Sequence, residues 1–203
     1  MPPDTYHLVL RNTIEAYLEH GLEAGRRALA PIAGEIWPGL PPSEGPSQPR
    51  RPRQGPRGKR SFSAARSAAT LERDHFRCRY CGCEIIPKPI AVLTSTLYPE
   101  ELPFHPAYRG GCMHPLYWTR VAEADHLVPG SDGGAWEDPT NHVTACVVCN
   151  TRKGDLTLQE LGWTLKEPKP GWDGITGLYR RLWLGAGQPS NMQHHVWLKQ
   201  FGR

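Results

Sequence analysis

An α+β fold is predicted by the order of elements in the middle of the chain and by helical patterning on either side of it. From Arg120 onward the sequence runs strand, loop, strand, helix. RVAEADHLV alternates enough for a strand, PGSDGG is a turn region, and NHVTAC is a second strand leading into a helix start. On this frame Asp125 and His126 lie on the first strand, Asn141 opens the second and Asn150 opens the helix. A C-x-x-C pair brackets the segment at each end, Cys78 with Cys81 and Cys146 with Cys149. A chain of 203 residues can bury an ordinary core and still carry appendages.

Taken in order, residues 1–37 form an N-terminal amphipathic helical segment. The helix is expected over residues 4–24, with Asp4 as N-cap. Leu10, Ile14, Tyr17 and Leu18 share one face, and Arg11, Glu15 and Glu19 lie elsewhere. Gly21 and Gly25 weaken its later turns. Residues 38–60 are a Pro/Arg-rich linker with almost no apolar side chains, which cannot build a core. Its second half carries Arg50, Arg51, Arg53, Arg57, Lys59 and Arg60 with no acidic residue between them. Such an arm is either solvated linker or a source of phosphate contacts. Residues 61–165 hold the central domain. Its first helix, SFSAARSAATLERDHF, is capped by Ser61 or Ser63. Beyond Asn150, Gly154 reads as a helix stop, and Thr157 with Glu160 has capping-box spacing. Residues 166–203 are a Trp-rich extension in which Trp172, Trp183 and Trp197 are read as packing residues, with base stacking as the rival.

Composition narrows the chemistry. A net charge of +4 and a pI near 8.8 permit a polyanionic partner without demanding one. No apolar run approaches the roughly 18 residues of a membrane span, and MPPDTYHLVL lacks a secretory pattern. The expected location is therefore cytoplasmic, where thiols bind metal more often than they form disulfides. Two C-x-x-C turns present four thiolates for a tetrahedral zinc, a closed and hence structural site. Cys83 and Cys112 are left over and are expected as buried thiols. A metal pair of Cys112 with His114, in GGCMHP, is the alternative. Any chemistry must come from other residues.

RDHFRCRYCG, ADHLVPGSDGG and NHVTACVVCNTRKGD, in this order, resemble the HNH endonuclease family in its zinc-stabilised, four-cysteine form. The resemblance spans about residues 71–158 and implies a ββα-metal nuclease core that cuts phosphodiester bonds in DNA. It makes His126 the general base, and it gives Asp125 and Asn150 one divalent cation, Mg²⁺ or Mn²⁺. Asn141 would fix the imidazole or the loop, and Arg152 and Lys153 would steady phosphates. His142 is expected to face away as a bystander. A neutral imidazole can accept a proton from water near neutrality, and a cation of this kind can complete its shell with waters and phosphate oxygens. Neighbours in a regular strand face opposite sides, so a bulge, a strong twist or a strand end is expected near Asp125. The Pro-rich insert from Glu84 to Thr119 would cover the site, contact DNA or bind a partner. DNA is the implied partner, with no membrane role. A homodimer would give double-strand cleavage, and a regulatory protein could restrain the enzyme. The alternatives are a non-catalytic zinc module that binds DNA or protein, and a nuclease that cuts RNA.

Overall fold

A computed structural model describes residues 3–40 and 62–201 of the chain. The basic positions Arg50, Arg51, Arg53, Arg57, Lys59 and Arg60 lie outside the described residues. The predicted helix over 4–24 is two helices, α1 (Tyr6–His20) and α2 (Leu22–Leu29). Gly21 separates them at φ 84°, a left-handed value that glycine adopts without the clash a Cβ would bring. Asp4 does not cap α1. Its carboxylate reaches Arg120 at 2.6 Å and pins the N-terminal turn to the central segment.

Helix α3 (Ala64–Arg73) is capped by Ser63, whose Oγ accepts from the Arg66 amide at 3.2 Å. At its end the fully buried Asp74 accepts from the Thr144 amide at 2.8 Å and pairs with Arg73 and Arg79. That cluster ties the helix end to the neighbouring strand and to the first cysteine turn. The insert is part of the fold. It builds β1 (Ile86–Pro87), α4 (Lys88–Leu97) and α5 (Pro115–Thr119), and α4 buries Pro89 through Ser95.

The sheet has three strands in the order β1-β2-β3, with β2 spanning Val121–His126 and β3 His142–Cys146. β1 runs parallel to β2, pairing Pro87 with Ala122. β2 and β3 are antiparallel and in unbroken register from Ala122↔Cys146 to His126↔His142. Helix α6 (Val147–Lys153) follows β3 at once, with Cys146 as N-cap and Gly154 ending it. Asn150 therefore lies within this helix and does not open it. α3 and α6 cover opposite faces of the β-hairpin. Thr144 bonds to α3 through the Thr70 carbonyl, whereas Glu123 and Asp125, on the alternate positions of β2, meet α6.

Helix α7 (Leu158–Leu161) opens with the full Thr157–Glu160 capping box. Helices α8 (Thr176–Gly185) and α9 (His194–Phe201) complete the described chain. α8 packs on α1 and α4, and α9 packs on α3. Trp172 and Trp197 are buried, and the Trp172 indole donates to the Ile85 carbonyl at 2.8 Å. Trp183 is part-buried and donates to the Pro189 carbonyl. These rings are packing residues, spent on the core.

Candidate metal and catalytic site

Five cysteine sulfurs converge where the first cysteine turn meets β3 and α6. Those of Cys78, Cys81, Cys83 and Cys146 all lie within 4.8 Å of one another. The Cys149 thiol interacts with those of Cys78, Cys81 and Cys146, and its amide donates to the Cys146 sulfur at 3.5 Å. A tetrahedral zinc with bonds of about 2.3 Å sets its sulfurs about 3.8 Å apart. The Cys81–Cys146 separation of 4.0 Å matches that edge, so the cluster is compatible with a structural zinc. Cys83, expected as a spare buried thiol, belongs to the cluster and lies 4.0 Å from the Thr119 carbonyl. The leftover Cys112 is exposed. His114 is not a free ligand: Nε2 meets the Ile32 carbonyl at 2.8 Å and Nδ1 accepts from the Leu116 amide at 3.0 Å.

Polar side chains gather between β2 and α6. Asp125 Oδ2 accepts from the Tyr80 hydroxyl at 2.6 Å and lies 3.5 Å from Lys153 Nζ, while Oδ1 accepts the His126 amide at 2.8 Å. Two residues earlier on the same face, Glu123 Oε2 accepts from Asn150 Nδ2 at 2.5 Å. That bond commits the nitrogen end of the Asn150 amide and leaves its oxygen as the end that could meet a cation. Burial pushes the Asp125 carboxyl above the ordinary range, against the opposing pull of Lys153 and Tyr80. Lys153, read as a phosphate contact, is instead 1% exposed and also donates to the His126 carbonyl at 2.7 Å. Arg152 is exposed on the same helix.

His126 stands at the end of β2 with no bulge before it, so its ring faces away from Asp125. The ring stacks on Phe62 at 4.5 Å and meets the edge of Trp136 at 4.4 Å. Its Nε2 lies 3.3 Å from the Trp136 carbonyl. A carbonyl can only accept, so Nε2 carries the proton and Nδ1 holds the lone pair. Burial, followed by the neighbouring His142, pulls the imidazole below its usual value despite the carbonyl and Asp125, which favours the neutral base. His142 does not face away from His126. It pairs with His126 across the ladder, with ring centroids 5.1 Å apart, and its Nε2 meets the same Trp136 carbonyl at 3.0 Å.

The loop that supplies this carbonyl is fixed by Asn141, which is buried just before β3. Its Oδ1 accepts from the Val128 amide at 2.7 Å, and Nδ2 donates to the Val128 and Ala135 carbonyls at 3.1 Å each. Gly134 is needed for the same closure, because a Cβ there would stand 1.9 Å from the Val128 carbonyl oxygen.

Sequence reasoning missed Glu123, although the two-residue period of a strand puts it on the face of Asp125. Phe62, Trp136 and Tyr80 carry no local signal, because their roles arise from contacts between distant segments. Carboxylate and amide oxygens are donors suited to a hard divalent cation such as Mg²⁺ or Mn²⁺. Glu123, Asp125 and Asn150 offer them from adjoining positions on β2 and α6. Residues 110–156, which include α5, β2, β3 and α6, match the family model for HNH endonuclease. No curated protein and no solved structure gives a significant match to the chain.

Proposed function

From the HNH endonuclease domain that residues 110–156 carry, we propose that the protein is a metal-dependent endonuclease that hydrolyses phosphodiester bonds in DNA. The observation that supports this best is the division of labour around the end of β2. Oxygen donors from β2 and α6 lie on one side, and a neutral imidazole with a defined tautomer lies at the strand end.

Asp125 and Asn150 would hold one divalent cation, with Glu123 orienting the Asn150 amide. When bound, the cation polarises the phosphoryl oxygens and offsets charge on the departing 3′ oxygen. His126 Nδ1 takes a proton from water as the water oxygen attacks phosphorus. The bond from phosphorus to the 3′ oxygen breaks and that oxygen takes a proton from solvent water, leaving 5′-phosphate and 3′-hydroxyl ends. The Trp136 carbonyl keeps the imidazole in its working tautomer and steadies the imidazolium that forms. Lys153 tethers α6 to the His126 carbonyl, and Asn141 holds the loop in place. The four-cysteine zinc anchors the start of α6.

A second reading, a zinc-stabilised binding module without cleavage, draws on the Lys153 ammonium beside Asp125 and on Phe62 across the His126 ring. Supercoiled plasmid and a matched single-stranded RNA, each incubated with Mg²⁺, with Mn²⁺ and with EDTA, separate the readings. Nicked or linear plasmid only with metal is the expected result. Cleavage of RNA alone would move the substrate to RNA, and DNA binding without cleavage would favour the module. A homodimer, for double-strand breaks, and a restraining partner protein belong to the same proposal.

A further inference from the structure

The insert brings a second cation to the β2–α6 face. β1 and β2 run parallel with Pro87 opposite Ala122, so Lys88, which opens α4, follows β1 at the point where Glu123 continues β2. Burial lowers the Lys88 pKa against the opposing pull of Glu123, whose charge also acts on Tyr108. Yet Lys88 makes no ion pair with Glu123. The ammonium instead lies 4.8 Å from the Tyr108 ring centroid and 5.6 Å from that of Phe104. Aromatic faces attract a cation without neutralising it, and the side chain is only half-buried. Its charge is available to an incoming anion.

The fold sustains a cost to build this platform. Tyr108 holds a left-handed φ of 49°, a strained conformation for a non-glycine residue. Its hydroxyl is buried without a partner among the described residues. Packing alone has no need of a lysine in that position. A nucleic acid held by Asp125 and Asn150 through a cation would bring its backbone phosphates to this edge of the sheet.

We propose that the Lys88 ammonium, held on the Tyr108 ring beside Glu123, binds a backbone phosphate of the nucleic-acid substrate and positions it for cleavage. The proposal rests on the nuclease reading, and Lys88 acts as a positioning residue contributed by the insert. Lysine suits the task as a compact point charge for phosphate.

The test is duplex DNA binding in EDTA, where no cleavage intervenes, measured by fluorescence anisotropy across a salt series. Wild type, Lys88→Met, Lys88→Arg and the remote surface control Lys199→Met are compared, each checked for zinc content and Tm. Lys88→Met is expected to weaken binding about tenfold at low salt and to reduce the slope of log K against log salt by about 1. Lys88→Arg and Lys199→Met should keep the wild-type slope. With Mg²⁺, Lys88→Met should raise KM more than it lowers kcat. If wild type binds and cuts DNA while Lys88→Met keeps its affinity and slope, the phosphate role is overturned and the nuclease reading stands. A fall in Tm with an unchanged slope would make Lys88 structural and overturn it equally. If wild type neither binds nor cuts nucleic acid, both readings fall together.

Discussion

Lys153 shows how one side chain can couple the site to the stability of the fold. Its ammonium is almost fully buried, 3.5 Å from a carboxylate that is itself 12% exposed, and it holds the backbone of His126. Removing one partner of a buried pair leaves the other charge uncompensated, at a cost of about 3–5 kcal/mol. Lys153→Met is therefore expected to lower stability by about that amount in urea unfolding, and Lys153→Met with Asp125→Asn should recover part of it. A Lys153→Met protein as stable as wild type would show that the pair carries no such load. Asn141 is the contrasting case, because its three hydrogen bonds all go to loop backbone. Asn141→Ala leaves buried amide and carbonyl groups unpaired, each costing about 1–3 kcal/mol. Cleavage should fall further than stability, as the Trp136 carbonyl that orients His126 loses its support. Plasmid cleavage and urea unfolding on the same preparation check this.

At the scale of elements, the cysteine cluster joins the first cysteine turn to the β3–α6 junction, and it contains one sulfur more than a tetrahedral zinc takes. The C-x-x-C spacing and the amide bond from Cys149 to the Cys146 sulfur favour Cys149 as the fourth ligand. The nearby Thr119 carbonyl gives the Cys83 thiol somewhere to keep its proton. Cys149→Ser is expected to lose zinc and unfold at a lower temperature, whereas Cys83→Ser should retain one zinc per chain. Zinc retained in Cys149→Ser and lost in Cys83→Ser would reverse the assignment. The caps at Ser63, Gly154 and Thr157–Glu160 were legible in the sequence because each depends on residues within a turn of one another. The β2–β3 hairpin was legible from alternation. The break at Gly21 was not: the apolar face continues across it, and only the packing of α2 against α1 reveals the turn. β1 was not legible either. Two residues make a strand only when β2 is beside them, so the meeting of Lys88 with Glu123 depends on a register that no local pattern encodes.

For the whole molecule, the N-terminal helices, the insert and the C-terminal helices share one apolar core with the β2–β3–α6 segment. Buried histidines make that core sensitive to acid. His114 uses both nitrogens in its neutral form, and His194 sits between the Tyr179 hydroxyl and the Asn191 side chain. Burial lowers the pKa of both. Such groups bind protons more weakly folded than unfolded. Their contribution is complete above the unfolded value near 6.5 and is lost as pH falls below it toward the folded value. Tm should therefore decline from about pH 6.5 downward, and His194→Gln should make that decline shallower. A Tm unchanged down to pH 5 would contradict it. Among the described residues no helix is long and apolar enough to cross a membrane, and residues 110–156 match the HNH endonuclease model. The division of labour at the end of β2 is the central claim, and it is tested most directly by supercoiled-plasmid cleavage with Mg²⁺ or Mn²⁺, wild type beside His126→Ala, both with zinc retained. The expected result is metal-dependent nicking or linearisation by wild type and a rate at least about 100-fold lower in the variant. Equal cleavage by the two proteins would contradict the assignment of His126 as the base.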